Sequence, residues 1–372
     1  MTETVSTKRG AAHKRLPVST KTSGRQPNEA SFSGLDVREI FKPWEAARGI
    51  LLAVSGGPDS VALMLLAAEW RDSCAAPPQL YVATVDHGLR QDSHREAEMV
   101  ARWAAELALP HTTLIWQGVK PASCVQERAR EARYALLFDH AARIGADPVM
   151  TAHHADDQAE TVLFRLLRGS GISGLSGMAS SIQRNGIKLA RPLLSCTKAQ
   201  LVSLCETRAH AFFSDPSNDD FAFARTRMRR LTHLLAEEGL DRKSLLRLGH
   251  RAARADAALE RQAVAIAATL NAKREPGKFE ANILALAHEP EEILLRLLAN
   301  ELKLIRRDKP LRLDRLEGVA YGLGKALRAG IAYRTTLGGS KLRLQKDHSL
   351  IIELEGTRRR GSNSTRRRDA EV

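Results

Sequence analysis

One short segment of the chain has the residue types of a phosphate-binding loop. Residues 55–60 read Ser-Gly-Gly-Pro-Asp-Ser, and the glycines allow backbone N–H groups to approach an anion. A helix expected to begin near Asp59 adds its positive N-terminal end, so the pattern predicts phosphate binding. A carboxylate in an anion site is repulsive unless a cation intervenes, which predicts that Asp59 binds Mg²⁺. An ordinary strand-to-helix turn, capped by Asp59 or Ser60, is the alternative.

Other charged residues have the spacing of one helix face. Asp157 and Glu160 are three positions apart, so on a helix both carboxylates can face one cation. Arg130 and Arg133 have the same spacing, and a surface salt-bridge ladder is the alternative to a functional pair. Asp156 and Asp157 also suit the start of a helix, where they would act only as caps.

Histidines accompany two of these segments. Asp86-His87-Gly88 is either part of a ligand site or only a tight turn. The adjacent His153 and His154 suggest zinc, but no third ligand follows at a plausible spacing. A structural zinc site is therefore not expected.

These segments follow predicted strands of an alternating α/β pattern. Apolar runs at 49–54, 80–85, 112–116 and 148–151 alternate with helical patterns at 59–70, 92–107, 123–144 and 156–168. Such alternation predicts a doubly wound parallel sheet with helices on both faces. Ligands bind at the carboxyl ends of the strands in such sheets, which is where the phosphate loop, the Asp86 turn and the acidic helix fall.

Composition narrows the class of protein. The 372 residues carry a formal net charge of +14, with 43% apolar and 27% charged residues, as in soluble globular proteins. No apolar run has the length of a membrane span or a signal peptide, and four scattered cysteines exclude a disulfide scaffold. We therefore expect a cytoplasmic protein. Over half of the excess charge lies in residues 1–30 and 356–372, which are either solvated tails or segments that attract a polyanion such as RNA.

The phosphate loop resembles that of the N-type ATP pyrophosphatases, the PP-loop superfamily. Further strings resemble the tRNA(Ile)-lysidine synthases within it, in order and in approximate spacing over residues 50–230. They are VDHGLR at 85–90, ARxxRY at 129–134, HHADDQAET at 153–161, RGSGxxGL at 168–175, RPLL at 191–194, DPSN at 215–218 and RxRxR at 225–229. The acidic string is the most specific, because other superfamily members share the phosphate loop without it.

The resemblance implies a two-step reaction. The C2 oxygen of the wobble cytidine of a CAU-anticodon isoleucine tRNA attacks the α-phosphate of ATP, releasing pyrophosphate. Free lysine then displaces AMP, which leaves lysidine. ATP and Mg²⁺ are the implied cofactors, and tRNA(Ile) and L-lysine are the implied partners; a homodimer stays open.

The resemblance also assigns residues to these roles. Asp59, Asp157 and Arg225 are expected to be catalytic, with Arg225 neutralising charge on the α-phosphate. Asp157 and Glu160 would bind the lysine ammonium. ATP would contact Ser55, Gly56, Gly57, Pro58, Asp59, Ser60, Asp86, His87 and Arg130. The tRNA would contact Arg133, Arg168, Arg227, Arg229 and Arg251. Residues 168–174 contain enough glycine for a mobile loop that closes over substrate.

The second half of the chain predicts a different architecture. Amphipathic helices are expected at 240–270, 290–305 and 311–329, followed by a short β pair at 342–344 and 350–354. The basic stretch 225–254 also has helical periodicity. The expected domains are a basic tail at 1–35, a catalytic domain at 36–235, a mainly helical tRNA-binding region at 236–355 and a second tail at 356–372.

Three other functions stay open from the sequence. A tRNA 2-thiolation enzyme of the same superfamily would need cysteines placed for a cluster or a persulfide. A basic RNA-binding protein with an inactive nucleotide fold would not need intact strings at 55–60 and 156–161. A small-molecule amidotransferase would have no use for the basic tails or for the stretch 225–254.

Overall fold

The structure, a computed structural model, describes residues 36–88, 93–118, 125–213, 231–232, 234–306 and 311–355. The chain forms two compact units. The first contains Met1–Arg165 and Gly177–Leu248, and the second contains Leu166–Ser176 and Gly249–Val372. Within the described ranges, no helix combines the length and the apolar character needed to cross a bilayer. The domain boundary expected at residue 235 stays a prediction.

The first unit is built on a six-stranded sheet in the order β3-β2-β1-β4-β6-β5. All neighbouring strands are parallel except the edge strand β5, which runs antiparallel to β6. This confirms the predicted mostly parallel sheet. The strands are β1 (Gly49–Ala53), β2 (Gln79–Asp86), β3 (His111–Ile115), β4 (Val149–Met150), β5 (Ser181–Arg184) and β6 (Ile187–Ala190).

Helices cover both faces of this sheet. Along β1, Ile50 and Leu52 belong to one buried apolar cluster and Leu51 to another, because successive side chains of a strand point to opposite faces. The helices up to residue 207 are α1 (Val37–Phe41), α2 (Pro58–Ser73), α3 (Ser93–Glu106), α4 (Val125–Ile144), α5 (Ala155–Leu167), α6 (Ile172–Leu175) and α7 (Lys198–Thr207), with a 3₁₀ turn at Lys42–Trp44.

The β5–β6 hairpin is the element of this sheet that we did not predict. Its turn is Asn185-Gly186, with φ of 50° and 80°, the left-handed values that two-residue hairpin turns require. Asn-Gly is a strong hairpin signal, so the sequence did contain the information. The four residues of β5 are exposed, which is why they show no apolar run.

The second unit joins long helices to an antiparallel sheet. The predicted pair β10 (Ser340–Leu344) and β11 (Ser349–Leu354) is confirmed, and it belongs to a five-stranded sheet in the order β7-β8-β11-β10-β9. The additional strands are β7 (Lys273–Glu275), β8 (Lys278–Asn282) and β9 (Tyr333–Leu337). The helices are α8 (Arg242–Thr269), which begins in the first unit, α9 (Glu291–Arg306) and α10 (Leu313–Ala329), with a 3₁₀ turn at Leu284–His288.

The helical periodicity expected in the basic stretch 225–254 is confirmed in its described part, where α8 begins at Arg242 after Gly239, whose φ is 87°.

The glycine-rich segment at 168–174 makes hydrogen bonds within the second unit, and its closure over substrate stays a prediction. Ser173 of α6 donates to Asp256 Oδ1 at 2.5 Å, and its hydroxyl accepts from Arg296 at 3.3 Å.

Candidate active site

The conformation of the loop at 55–60 is stabilised by hydrogen bonds of the Ser60 hydroxyl. Ser60 Oγ accepts from the Ser55 N–H at 3.1 Å and donates to the Gly57 carbonyl at 2.9 Å. Helix α2 begins at Pro58, where the missing N–H costs no hydrogen bond, and no side chain caps its start at Gly57. The first N–H groups of α2 are therefore available to an anion, as the sequence predicted.

Of the two glycines, Gly56 has the stricter requirement. Its φ is 84°, and an added Cβ would lie 2.6 Å from the Phe213 ring. The Phe213 N–H also donates to the Gly56 carbonyl at 2.9 Å. Gly57 has an ordinary φ of −73°, and an added Cβ would make only an ordinary contact, at 4.0 Å from Ser55 Oγ. The conformation of the loop therefore requires a glycine at position 56, and Phe213 stabilises it by contact with this residue.

Asp59 is paired with a cation that the sequence did not reveal. The Lys198 ammonium, from the first residue of α7, donates to Asp59 Oδ2 at 2.7 Å. The other oxygen, Asp59 Oδ1, is buried and has no hydrogen-bond partner in the described part of the chain. Because buried polar atoms are almost always satisfied, this oxygen fits a ligand such as a metal ion.

His154 connects the phosphate loop with the acidic helix. Its Nε2 lies 3.7 Å from Asp59 Oδ2 and 3.5 Å from Asp157 Oδ2. Its Nδ1 lies 3.6 Å from Asp156 Oδ2, and the residue is 5% exposed. Three carboxylates therefore surround one buried imidazole. No group of three or more His, Cys, Asp or Glu side chains is placed to hold a metal, among the residues described.

Asp156 acts as a helix cap, but for the neighbouring helix α7 and not for its own helix α5. Asp156 Oδ2 accepts from the Lys198 N–H at the start of α7 (2.8 Å), and Oδ1 accepts from Arg242 Nη1 (3.0 Å). Burial raises the pKa of this carboxyl, but these two hydrogen bonds outweigh it and leave the pKa below its ordinary value. Arg242, in the stretch considered for RNA, is thus already paired.

Asp157 and Glu160 lie three positions apart on α5, as expected. Asp157 Oδ2 accepts from the His154 N–H at 3.1 Å, so it also caps its own helix. Both side chains are half-buried. One oxygen of Asp157 is committed to the helix start, and a role in binding a cation at this pair stays a prediction.

The carboxylate of Asp86 forms hydrogen bonds with residues that follow it closely in the chain. Asp86 Oδ1 accepts from the Gly88 N–H at 2.8 Å and from Ser93 Oγ at 2.6 Å. Burial raises the pKa of Asp86, and these hydrogen bonds lower it further than burial raises it. The His87 ring lies edge-on to Trp116 with centroids 6.1 Å apart. The turn alternative therefore describes Asp86, and contact of Asp86 or His87 with ATP stays a prediction.

Arg130 and Arg133 both lie beside one aromatic ring, on the same face of α4. Their guanidinium carbons lie 5.2 Å and 5.5 Å from the centre of the Tyr134 ring. The nearby His153 is half-buried, and the loss of solvent around its ring lowers its pKa to about 4; Asp157 opposes this shift, and Arg191, Arg130 and Arg133 add to it. His153 is therefore neutral near pH 7.

The remaining predicted site residues lie elsewhere. Arg168 and Arg251 are exposed residues of the second unit. Arg225, Arg227, Arg229 and the DPSN string at 215–218 lie outside the described residues. Sequence reasoning assigned no role to three residues of the site, Lys198, Phe213 and His154. His154 lies in the HHADDQAET string, whereas Lys198 and Phe213 lie in no recognisable string and are far along the chain from the loop they contact.

Two cysteines are buried. Burial raises the pKa of Cys196 to about 11 and that of Cys205 to about 12. Both thiols therefore remain protonated near neutral pH. Cys74 is half-buried and far from both in sequence, and Cys124 lies outside the described residues.

The fold and the loop together define a PP-loop protein, and the family model of the PP-loop domain matches residues 33–235. Relatives of known name extend the match over most of the chain. The tRNA(Ile)-lysidine synthase of Rhodopseudomonas palustris is 48% identical over 87% of this chain and 95% of its own. Those of a Bradyrhizobium species and a Methylobacterium species are 44% and 45% identical, over 91% and 86% of this chain and 99% and 93% of theirs. The chain belongs to the tRNA(Ile)-lysidine synthase family.

Proposed function

We propose that the protein joins lysine to C2 of the wobble cytidine of a CAU-anticodon isoleucine tRNA, using ATP and releasing AMP and pyrophosphate. The observation that carries this proposal is the position of His154 between Asp59 and Asp157. The phosphate loop and the acidic helix lie on either side of this imidazole, which supports a site where a nucleotide and an amine meet. A cytoplasmic location follows from the substrate.

The residues of the loop act on the triphosphate. The N–H groups at the start of α2 and the hydroxyls of Ser55 and Ser60 hold the departing pyrophosphate. Lys198 supplies a positive charge beside them. Arg130 contacts the nucleotide, and Arg225 neutralises the α-phosphate.

Mg²⁺ fits the unpartnered Asp59 Oδ1, because this ion takes few protein ligands and keeps phosphate oxygens and waters. When bound with ATP, the ion would neutralise part of the negative charge of the phosphate groups. The Lys198 ammonium and the ion would then share Asp59, one on each carboxylate oxygen.

Asp157 and Glu160 bind the ammonium of the incoming lysine. The neutral state of His153 matters here, because a charged imidazole would compete with the substrate for Asp157. Two carboxylates also favour the charged amine, so a proton must leave before the amine attacks.

The test is a reconstituted reaction with nucleoside analysis. Purified protein is incubated with ATP, labelled lysine and a CAU-anticodon isoleucine tRNA transcript. We expect labelled lysidine and stoichiometric AMP and pyrophosphate, all dependent on the tRNA. A transcript with uridine at the wobble position is the matched control. Unmodified cytidine in the complete reaction would overturn the proposal.

A further inference from the structure

Gln158 lies in the chain between the two carboxylates of α5, but its side chain is on another face of the helix. Gln158, Val162 and Arg165 follow one another at intervals of four and three residues, which is the spacing of one helix face. At about 3.6 residues per turn, this face is turned well away from the one that carries Asp157 and Glu160. Gln158 is 8% exposed, so its amide is directed into the protein and not towards solvent.

The amide of Gln158 is bound at both ends by one backbone position. Its Nε2 donates to the Met178 carbonyl at 2.9 Å, and its Oε1 accepts from the Met178 N–H at 2.7 Å. A side-chain amide has a donor end and an acceptor end, and here the same residue satisfies both. Two hydrogen bonds to one residue fix the orientation of the amide as well as its position. The pair therefore restricts rotation of α5 about its own axis.

The backbone at Gly177 allows the close approach of this amide. Gly177 has a φ of 76°, which L side chains rarely adopt. An added Cβ would lie between 2.8 and 2.9 Å from the three atoms of the Gln158 amide group. Two independent features thus require a glycine at this position. The approach at Gly177 and the hydrogen bonds at Met178 belong to one contact.

The segment 177–179, which receives Gln158, is itself fixed by two arginines. Arg165 of α5 donates from Nη1 to the Gly177 carbonyl at 2.7 Å. Arg191 donates from Nη1 to the Ala179 carbonyl at 2.8 Å. All of these residues belong to the first unit. The segment is therefore a fixed support against which one face of α5 is held.

We propose that Gln158 is a positioning residue for the amine-binding carboxylates of α5. The proposal rests on the proposed function, because it takes Asp157 and Glu160 as the contacts of the lysine ammonium. Gln158 acts through the helix: it sets the rotation of α5 so that both carboxylates face the same point. Hydrogen bonds weaken steeply when their geometry is lost, so a small rotation of α5 weakens binding of the amine. The loop at 55–60 is stabilised by contacts of its own and is disturbed less.

The test compares Gln158→Met with a matched control. Gln158→Met keeps the length of the side chain and removes both hydrogen bonds to Met178. The control Thr84→Val keeps the shape of a side chain of β2 that is 5% exposed, and it breaks the hydrogen bond with His111 (2.9 Å). We expect Gln158→Met to raise the KM for lysine by about tenfold or more, with a smaller loss of pyrophosphate exchange measured without lysine. Thr84→Val should lower the Tm but retain the wild-type KM for lysine.

A second variant perturbs the same contact from the other side. Gly177→Ala adds a Cβ against the Gln158 amide and leaves the sequence of α5 unchanged, so it should also raise the KM for lysine. If Gln158→Met is too unstable to purify, Gly177→Ala provides the measurement. A lower Tm with an unchanged KM for lysine in either variant would show a purely structural role and overturn the proposal. An equal loss of both half-reactions would overturn it too.

Hydrogen exchange tests the position of α5 without turnover. In Gln158→Met, exchange should accelerate at Met178 and also in residues 157–161, relative to Thr84→Val; acceleration confined to Met178 would overturn the positioning role. A wild-type protein that forms no lysidine would overturn the proposed function, and the exchange pattern would then still decide whether Gln158 positions α5. Lysidine formation by Gln158→Met with the wild-type KM for lysine would overturn the role of Gln158 alone.

Discussion

The Lys198 ammonium lies 2.7 Å from Asp59 Oδ2, although the two residues are 139 positions apart in the chain. Both side chains are partly exposed, at 43% and 27%, so the ion pair itself adds little to the stability of the fold. Its importance is positional: it keeps a cation beside the phosphate loop. We expect Lys198 to shift towards phosphate oxygens when ATP binds.

Removing this cation should impair the first half-reaction. Lys198→Met is expected to lower kcat/KM for ATP by about tenfold to hundredfold, the value of a charge-assisted hydrogen bond. ATP–pyrophosphate exchange in the presence of tRNA measures this effect. Lys42→Met, which breaks an exposed ion pair with Glu39, is the control and should retain wild-type exchange.

Asp59→Asn should lower pyrophosphate exchange by orders of magnitude and leave tRNA binding intact. Wild-type turnover in Lys198→Met or in Asp59→Asn would show that the replaced residue does not belong to the site.

The two carboxylates of α5 predict a separation of the half-reactions. Glu160→Gln should raise the KM for lysine by about tenfold or more, because one charged contact to the ammonium is lost. Adenylation, followed by pyrophosphate exchange without lysine, should be partly retained. Glu106→Gln, at an exposed position of α3, serves as the matched control. Equal loss of both half-reactions in Glu160→Gln would contradict a role in lysine binding.

His153 predicts a pH dependence of stability. Its folded pKa of about 4 lies below the ordinary value of 6.5, so in this interval the unfolded chain takes up a proton that the folded chain rejects. Stability should therefore fall as the pH drops from 6.5 towards 4, and His153→Gln should flatten that part of the curve of Tm against pH. The absence of one histidine NMR signal in His153→Gln identifies the His153 signal of the wild-type protein. In the wild-type protein this signal should titrate below pH 5. A midpoint near 6.5 would show that the ring is not desolvated as described.

Arg296 predicts where the second unit is most sensitive. It is 5% exposed and pairs with Asp256, Glu260 and Glu292 at 2.8–3.2 Å. Arg296→Met removes these charge-assisted hydrogen bonds and should destabilise the unit by about 1.5–3 kcal/mol, as measured by urea unfolding.

Local protection gives a second measurement of the Arg296 effect. Hydrogen exchange in Leu166–Ser176 should also accelerate, because Ser173 loses its contact with Arg296. The exposed Arg312, paired with Asp314, provides a control whose replacement by Met should cost less than about 1 kcal/mol. Equal unfolding midpoints for the two variants would contradict the prediction.

The parallel strands and their helices could be predicted because their signals are local. The apolar runs of β1 and β2 and the glycines of the phosphate loop each lie within a few residues of one another. The Asn185-Gly186 turn was equally local, but the exposed strand before it has no apolar pattern.

Contacts between distant segments could not be predicted from the sequence. Nothing near Lys198 indicates Asp59, and nothing near Phe213 indicates Gly56, because such pairs are determined by packing of the whole unit. Asp156 shows the same limitation, since its partners are the start of α7 and Arg242 of α8. The individual roles of the site residues stay predictions for the same reason.

The hydrogen bond from the Lys198 N–H to Asp156 has a mechanical consequence. Asp156 directly precedes Asp157 in α5. Lys198, whose backbone N–H donates to Asp156, also donates from its side-chain ammonium to Asp59. If the nucleotide binds at Asp59 and the amine at Asp157, as proposed, Lys198 links the two positions, and we expect a displacement of one to affect the other. Mutations that retune amine selectivity by shifting α5 should carry a penalty in nucleotide use, so the two specificities are expected to evolve together.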